Sequence, residues 1–143
     1  MVKAIDFWKY LCNELNYKFF SGVPCSELQH LYSKMSSEFM HYIPAIDIKI
    51  SVGLSNGATM SGSKSAVLSD IQCIYKLDLD FNFRNSIPLL FISYITDNYN
   101  NLIDDIYNIK LTENMNNDLN IITNYVETEL KPGILLIEKG FII

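Results

Sequence analysis

The chain has 143 residues, 49% of them hydrophobic and 13% aromatic, which excludes a disordered segment as its main content and suits one domain with a full core. Its net charge is −5, and its lysines and arginine form no cluster, so a phosphate-tracking surface is excluded and no nucleic acid partner is expected. No apolar run reaches about 18 residues, and the segment from Met1 to Asn16 is amphipathic and contains acids, so neither a membrane span nor a secretory signal is expected.

In chain order, Ile5, Trp8, Leu11, Cys12 and Leu15 recur at helical spacing and predict a helix over Ala4 to Leu15, followed by a short strand over Tyr17 to Phe20. After the Gly22-Val23-Pro24 turn, Ser26 and Gln29 have the spacing of a capping box, and Leu28, Leu31, Tyr32 and Met35 stripe the helix that follows as core. A second strand is predicted over His41 to Ile46 and a helix over Lys49 to Ser61. In that helix Ser51, Gly53, Ser55, Gly57 and Ala58 leave an unusually small-sided surface, for tight packing on the sheet or a partner helix, or for backbone contact with a ligand. Ser65 to Ser69 and Pro88 to Ile95 are short apolar runs between turn signals and read as buried strands. Tyr107 to Leu111 predicts a further strand. Met115, Leu119, Ile122, Val126 and Leu130 stripe a helix that Lys131-Pro132-Gly133 stops, and Ile134 to Ile137 forms the last strand. With no repeat and no linker, the expected fold class is α/β: a single three-layer, doubly wound domain over residues 1–143, its mostly parallel sheet flanked by helices.

Few residues carry chemistry by pattern. Cys12, Cys25 and Cys73 are scattered and odd in number, with no Cys-x-x-Cys pair, which argues against a disulfide framework or zinc site and makes a reducing cytoplasm the expected location. Cys25 precedes a helix, where unpaired backbone N–H groups favour a thiolate; the alternative is a small buried side chain at a helix start. His30 and His41 have no acid or nucleophile at fixed spacing, and Asp78, Asp80, Asp104 and Asp105 follow no Ca²⁺-loop pattern and read as solvated faces.

The element order, the Gly22-Val23-Pro24-Cys25-Ser26 segment and the closing Lys131-Pro132-Gly133-Ile134-Leu135-Leu136-Ile137-Glu138-Lys139-Gly140 run together resemble the pyrimidine-binding domain of thiamine diphosphate-dependent decarboxylases. Within that family the chain resembles the phosphonopyruvate and sulfopyruvate decarboxylases, and in the sulfopyruvate enzymes this domain is a separate small subunit. The resemblance implies thiamine diphosphate with Mg²⁺ as cofactor, the diphosphate and the metal being held by a diphosphate-binding partner subunit, and at least a dimer. It implies that Cys25 and Ser26 line the substrate side and that Asp47, Ile48, Asp70 and Gln72 lie on the cofactor side.

Three departures from the family pattern accompany it. The family's glutamate, which hydrogen-bonds the aminopyrimidine, is replaced by Ile48 on counting back from Asn56-Gly57, as in glyoxylate carboligase-type enzymes that carry an aliphatic residue there. Asp47 is one residue away, with a shorter side chain that on a strand would point to the opposite face. Asp70 to Lys76 lacks the glycines of the matching family loop, and the loop from Thr96 to Asp105 is compressed where relatives have an active-site lid. Two functions are therefore expected as alternatives: the small subunit of a split 2-oxoacid decarboxylase, or a scaffolding or regulatory binding module that has lost catalysis, its space beside Ile48 filled by side chains such as Tyr75 and Phe81.

Overall fold

The structure, a computed structural model, describes residues 1–95 and 106–143. Thr96 to Asp105, the segment read as a shortened lid, lies outside the described residues, as do Asp104 and Asp105 of the solvated faces.

Six strands form one sheet: β1 Tyr17–Gly22, β2 His41–Pro44, β3 Lys64–Leu68, β4 Leu89–Ile95, β5 Tyr107–Lys110 and β6 Pro132–Glu138. Every pairing is parallel, in the order β2-β1-β3-β4-β6-β5. The predicted mostly parallel α/β sheet is present, and its central strands are mostly apolar because helices cover both faces. Alternation sorts them: Leu90, Ile92, Leu135 and Ile137 join one hydrophobic cluster, whereas Leu89, Phe91, Ile134 and Leu136 join the other.

The first cluster is closed by α1 Ala4–Trp8, α2 Gln29–Ser33 and α6 Met115–Glu129, which contribute Phe7, Trp8, Leu31, Leu119 and Ile122. Trp8 packs edge-on against Phe20, with centroids 5.1 Å apart, and its indole N–H donates to Leu31 O at 2.8 Å, locking α1 to α2. The predicted first helix does not continue as an α-helix. Lys9–Glu14 is a π-helix, with Leu15 N donating to Tyr10 O, and it keeps Leu11 and Cys12 fully buried.

The second cluster lies under α3 Ile48–Met60 and α4 Ile71–Tyr75, through Val52, Ile71 and Ile74. The small-sided surface of α3 divides in two. Ser51 and Ser55 are fully buried, and Ser55 meets Ser65 of β3 at 2.5 Å, so the serines pack on the sheet. Gly53 and Gly57 are exposed, and a Cβ at either would meet nothing within 4 Å. A further helix that sequence periodicity does not signal, α5 Asp80–Arg84, is held to α3 by a reciprocal amide pair: Asn56 donates to Asn82 at 3.0 Å and Asn82 to Asn56 at 2.8 Å.

Three further expectations are corrected. The capping box does not form, because the Ser26 hydroxyl turns to its neighbour Glu27 at 3.2 Å and the 3₁₀ turn Ser26–Leu28 starts at Cys25 without a side-chain cap. The second strand ends at Pro44 and α3 begins at Ile48, so Asp47 and Ile48 are not adjacent strand residues on opposite faces; they are the N-cap and first residue of a helix. Strand β6 starts at Pro132, so Pro132-Gly133 opens the strand as well as ending α6. A Cβ on Gly133 would come within 2.8 Å of Val126, so this glycine lets α6 lie close on the sheet.

Candidate functional site at the switch point

From β1 the chain crosses to β2 on one side, and from β2 it returns to β3 on the other. The strand order therefore reverses between β1 and β3, and in open α/β sheets ligands bind outside the carboxyl ends of the strands at such a point. The β1–β3 register, Gly22 opposite Leu68, brings the segments that follow them side by side: Val23 to Ser26 and Ser69 to Cys73. Gly22 makes this approach sterically feasible, since a Cβ there would lie 2.1 Å from Leu68 O. The segment after β2 is drawn to the same place by Ala45 N donating to Gly22 O at 2.9 Å.

Of the residues expected at a site, Cys25 and Asp70 are brought together. Cys25 is half-buried, and burial pushes its thiol up to about 11; a backbone hydrogen bond with Leu28 works the other way, and Glu27, Asp70 and Cys73 each add to the rise. The expectation of a thiolate at a helix N-terminus is thus corrected: the helical turn is short, the surroundings are acidic, and Cys25 stays a neutral donor. Asp70 is the N-cap of α4. It accepts from Cys73 N at 2.8 Å through Oδ1 and from the Cys73 thiol at 3.4 Å through Oδ2.

Ser26 is exposed beside Cys25, and Gln72 is exposed on α4. Asp47 is exposed, its Oδ1 accepting from Ile50 N at 2.9 Å, and Ile48 is half-buried at the edge of the second hydrophobic cluster. Tyr75 and Phe81, which would fill the space beside Ile48 in a module that has lost catalysis, are 50% and 54% exposed. His30 and His41 are exposed and apart from the site, Asp80 pairs with Arg84 at 2.9 Å, and no metal-holding group of three or more His, Cys, Asp or Glu occurs among the described residues.

Sequence reasoning read Tyr32 only as a core residue of its helix and did not single out Tyr42; the two flank Cys25. Their rings lie 5.8 Å apart at 54° and wall an open groove of about 640 Å³ between α2 and β2. Burial raises both phenols, and each feels the Cys25 thiol. The alternation of His41, Tyr42 and Ile43 on an edge strand marks Tyr42 as facing inward, without saying which helix covers it.

This geometry has counterparts among solved structures. Benzoylformate decarboxylase from Polynucleobacter necessarius matches with a TM-score of 0.74, at 15% identity over 96% of this chain and 30% of its own. A protein from Mycobacterium smegmatis described as a thiamin diphosphate-dependent enzyme matches at 0.72, with 15% identity over 96% of this chain and 31% of its own. The 2-oxoglutarate:ferredoxin oxidoreductase from Magnetococcus marinus matches at 0.69, with 15% identity over 96% of this chain and 28% of its own. The fold is that of a thiamine diphosphate-binding domain. At this identity the likeness is one of fold, and the chain spans about a third of the length of these structures. No protein-family model and no curated protein matches it. Among the described residues no helix is long and apolar enough to cross a membrane.

Proposed function

We propose that this chain is the pyrimidine-side subunit of a split thiamine diphosphate-dependent 2-oxoacid decarboxylase, of the phosphonopyruvate and sulfopyruvate type in its division into subunits. The observation that supports this best is the meeting of Cys25, Asp70 and the N-terminus of α3 at the carboxyl ends of β1, β3 and β2, in a thiamine diphosphate-binding fold that extends over 96% of the chain.

The residues present fit holding an aminopyrimidine ring. Ile48 offers a half-buried aliphatic surface, and Asp70 and Gln72 offer polar atoms at the neighbouring strand end. They do not fit the proton transfer that a glutamate performs, because position 48 is aliphatic and the Asp47 carboxylate already caps α3. When bound, thiamine diphosphate supplies the carbanion chemistry. Cys25, kept protonated by burial, donates from Sγ on the substrate side, and the exposed Ser26 and Gln72 are free to meet a partner that carries the diphosphate site and Mg²⁺. Exposed Gly53 and Gly57 on α3 suit close approach of a partner helix.

The same capping of α3 by Asp47 favours a second reading, an assembly module without catalysis. Calorimetric titration of thiamine diphosphate and Mg²⁺ into the chain, alone and mixed with a diphosphate-binding subunit encoded beside it, separates the two. Heat of binding only in the mixture, with CO₂ release from a 2-oxoacid, supports the split enzyme. Absence of binding in both supports the module.

A further inference from the structure

The groove between α2 and β2 begins at Cys25 and Ser26, just past the carboxyl end of β1, and the rings of Tyr32 and Tyr42 with Pro24 and Pro44 form most of its walls. It is open to solvent, about 640 Å³ in volume, and none of the residues lining it carries a charge near neutral pH. Lys34, Lys49 and Lys76 are exposed and lie outside its lining. Two carboxylates bear on the end nearest the strands: half-buried Asp70 and exposed Glu27 both act on the Cys25 thiol.

We infer that this groove receives the side chain of the 2-oxoacid and selects an uncharged, apolar one. The inference rests on the decarboxylase reading proposed above, which puts Cys25 and Ser26 on the substrate side; the space that opens from those two residues is then where one 2-oxoacid differs from another. An apolar side chain there covers ring and proline surface that otherwise faces water. A phosphonate or sulfonate would give up hydration without meeting a cation on the walls, and it would be drawn toward the charges of Asp70 and Glu27 only at a cost in repulsion. The carboxylate that leaves as CO₂ is common to every candidate and stays outside the groove. On this account the chain shares with the phosphonopyruvate and sulfopyruvate enzymes a division into subunits and parts from them in substrate.

The test is CO₂ release by the whole chain, reconstituted with thiamine diphosphate, Mg²⁺ and the diphosphate-binding subunit encoded beside it, from 4-methyl-2-oxopentanoate, sulfopyruvate and phosphonopyruvate. The kcat/KM for 4-methyl-2-oxopentanoate is expected to exceed that for either doubly anionic substrate by about tenfold or more. Gln29→Arg and Ser33→Arg each place a guanidinium on the groove from an exposed lining position, and each is expected to narrow that ratio about tenfold, chiefly through the KM of sulfopyruvate. Equal or faster turnover of sulfopyruvate or phosphonopyruvate, or an unchanged ratio in both arginine variants, would overturn the inference and leave the decarboxylase reading standing. Release of CO₂ from none of the three would also overturn it, and absence of thiamine diphosphate binding by calorimetry in the same mixture would overturn the decarboxylase reading as well.

Discussion

Replacing Gly22 by alanine tests whether the glycine of the Gly-Val-Pro segment serves packing or a ligand. The added Cβ would lie 2.1 Å from Leu68 O and 3.0 Å from Leu68 C, against backbone that cannot swing aside as a side chain would. Relief requires β1 and β3 to part by roughly 1 Å, which breaks the ladder at Ser21 opposite Val67 and Gly22 opposite Leu68 in the middle of the sheet. The expected loss is about 3 kcal/mol, the upper end of what overpacking costs, or a fall in Tm of about 10 °C. The controls are Gly53→Ala and Gly57→Ala, in exposed helix positions with open space for a Cβ, which should each gain about 0.5–1 kcal/mol. Urea unfolding of the four proteins followed by circular dichroism measures all of these. A Gly22→Ala protein within about 0.5 kcal/mol of the parent would refute the packing account.

Cys25 should react with iodoacetamide far more slowly than free cysteine near neutral pH, because a thiol pushed up to about 11 holds about a hundredth of the usual thiolate population; mass spectrometry against pH should show the rate still climbing above pH 9. Cys12, pushed up to about 12 by burial, works in the same direction on stability. The folded state keeps protons that the unfolded chain releases, so stability should fall as pH rises past the ordinary thiol range, and Cys12→Ala should flatten that fall in urea titrations from pH 8 to about 11. Asn56→Leu or Asn82→Leu alone should each cost about 2 kcal/mol by stranding a buried amide, whereas the double variant should cost less than the sum, as a double-mutant cycle would report. Asp118→Ala should cost about 2 kcal/mol in the same assay, since Asp118 Oδ2 accepts from both the N–H and the hydroxyl of Thr112 at 2.7 Å ahead of α6.

The sheet was legible because its strands are buried on both faces. Ser65 to Ser69 and Pro88 to Ile95 are continuous apolar runs bounded by turns, and β3 and β4 lie within a residue of them. Helices α4 and α5 were not legible: each has five residues, too few for a period, and each is held by particular contacts, the Asp70 cap and the Asn56–Asn82 pair. At the carboxyl ends of the strands, the Gly22-Val23-Pro24 turn marked where Cys25 lies, and the β1–β3 register brings Asp70 beside it. The fate of the thiol was not legible, because it depends on burial and on Asp70 and Cys73, brought in from a distant part of the chain, as well as on nearby Glu27. Tyr42 was hidden for a related reason: its role comes from lying across from Tyr32, and nothing in the strand pattern says which helix will cover that face.

Position 47 is where the two functional readings part. Sequence reasoning places Asp47 one residue from the position of the family's glutamate; in the structure it is the N-cap of α3, its Oδ1 engaged with Ile50 N at 2.9 Å, and exposed. Asparagine caps a helix about as well as aspartate, so Asp47→Asn keeps the cap and removes the charge, whereas Asp47→Ala removes both at about 1 kcal/mol. If Asp47 only caps, Asp47→Asn leaves urea stability and any cofactor binding with a partner unchanged, and Asp47→Ala lowers stability alone. If the carboxylate instead serves the aminopyrimidine, Asp47→Asn abolishes turnover in the reconstituted mixture while leaving the unfolding curve in place. The first pattern is the expected one, because a carboxylate that closes the first turn of α3 is held toward its own backbone.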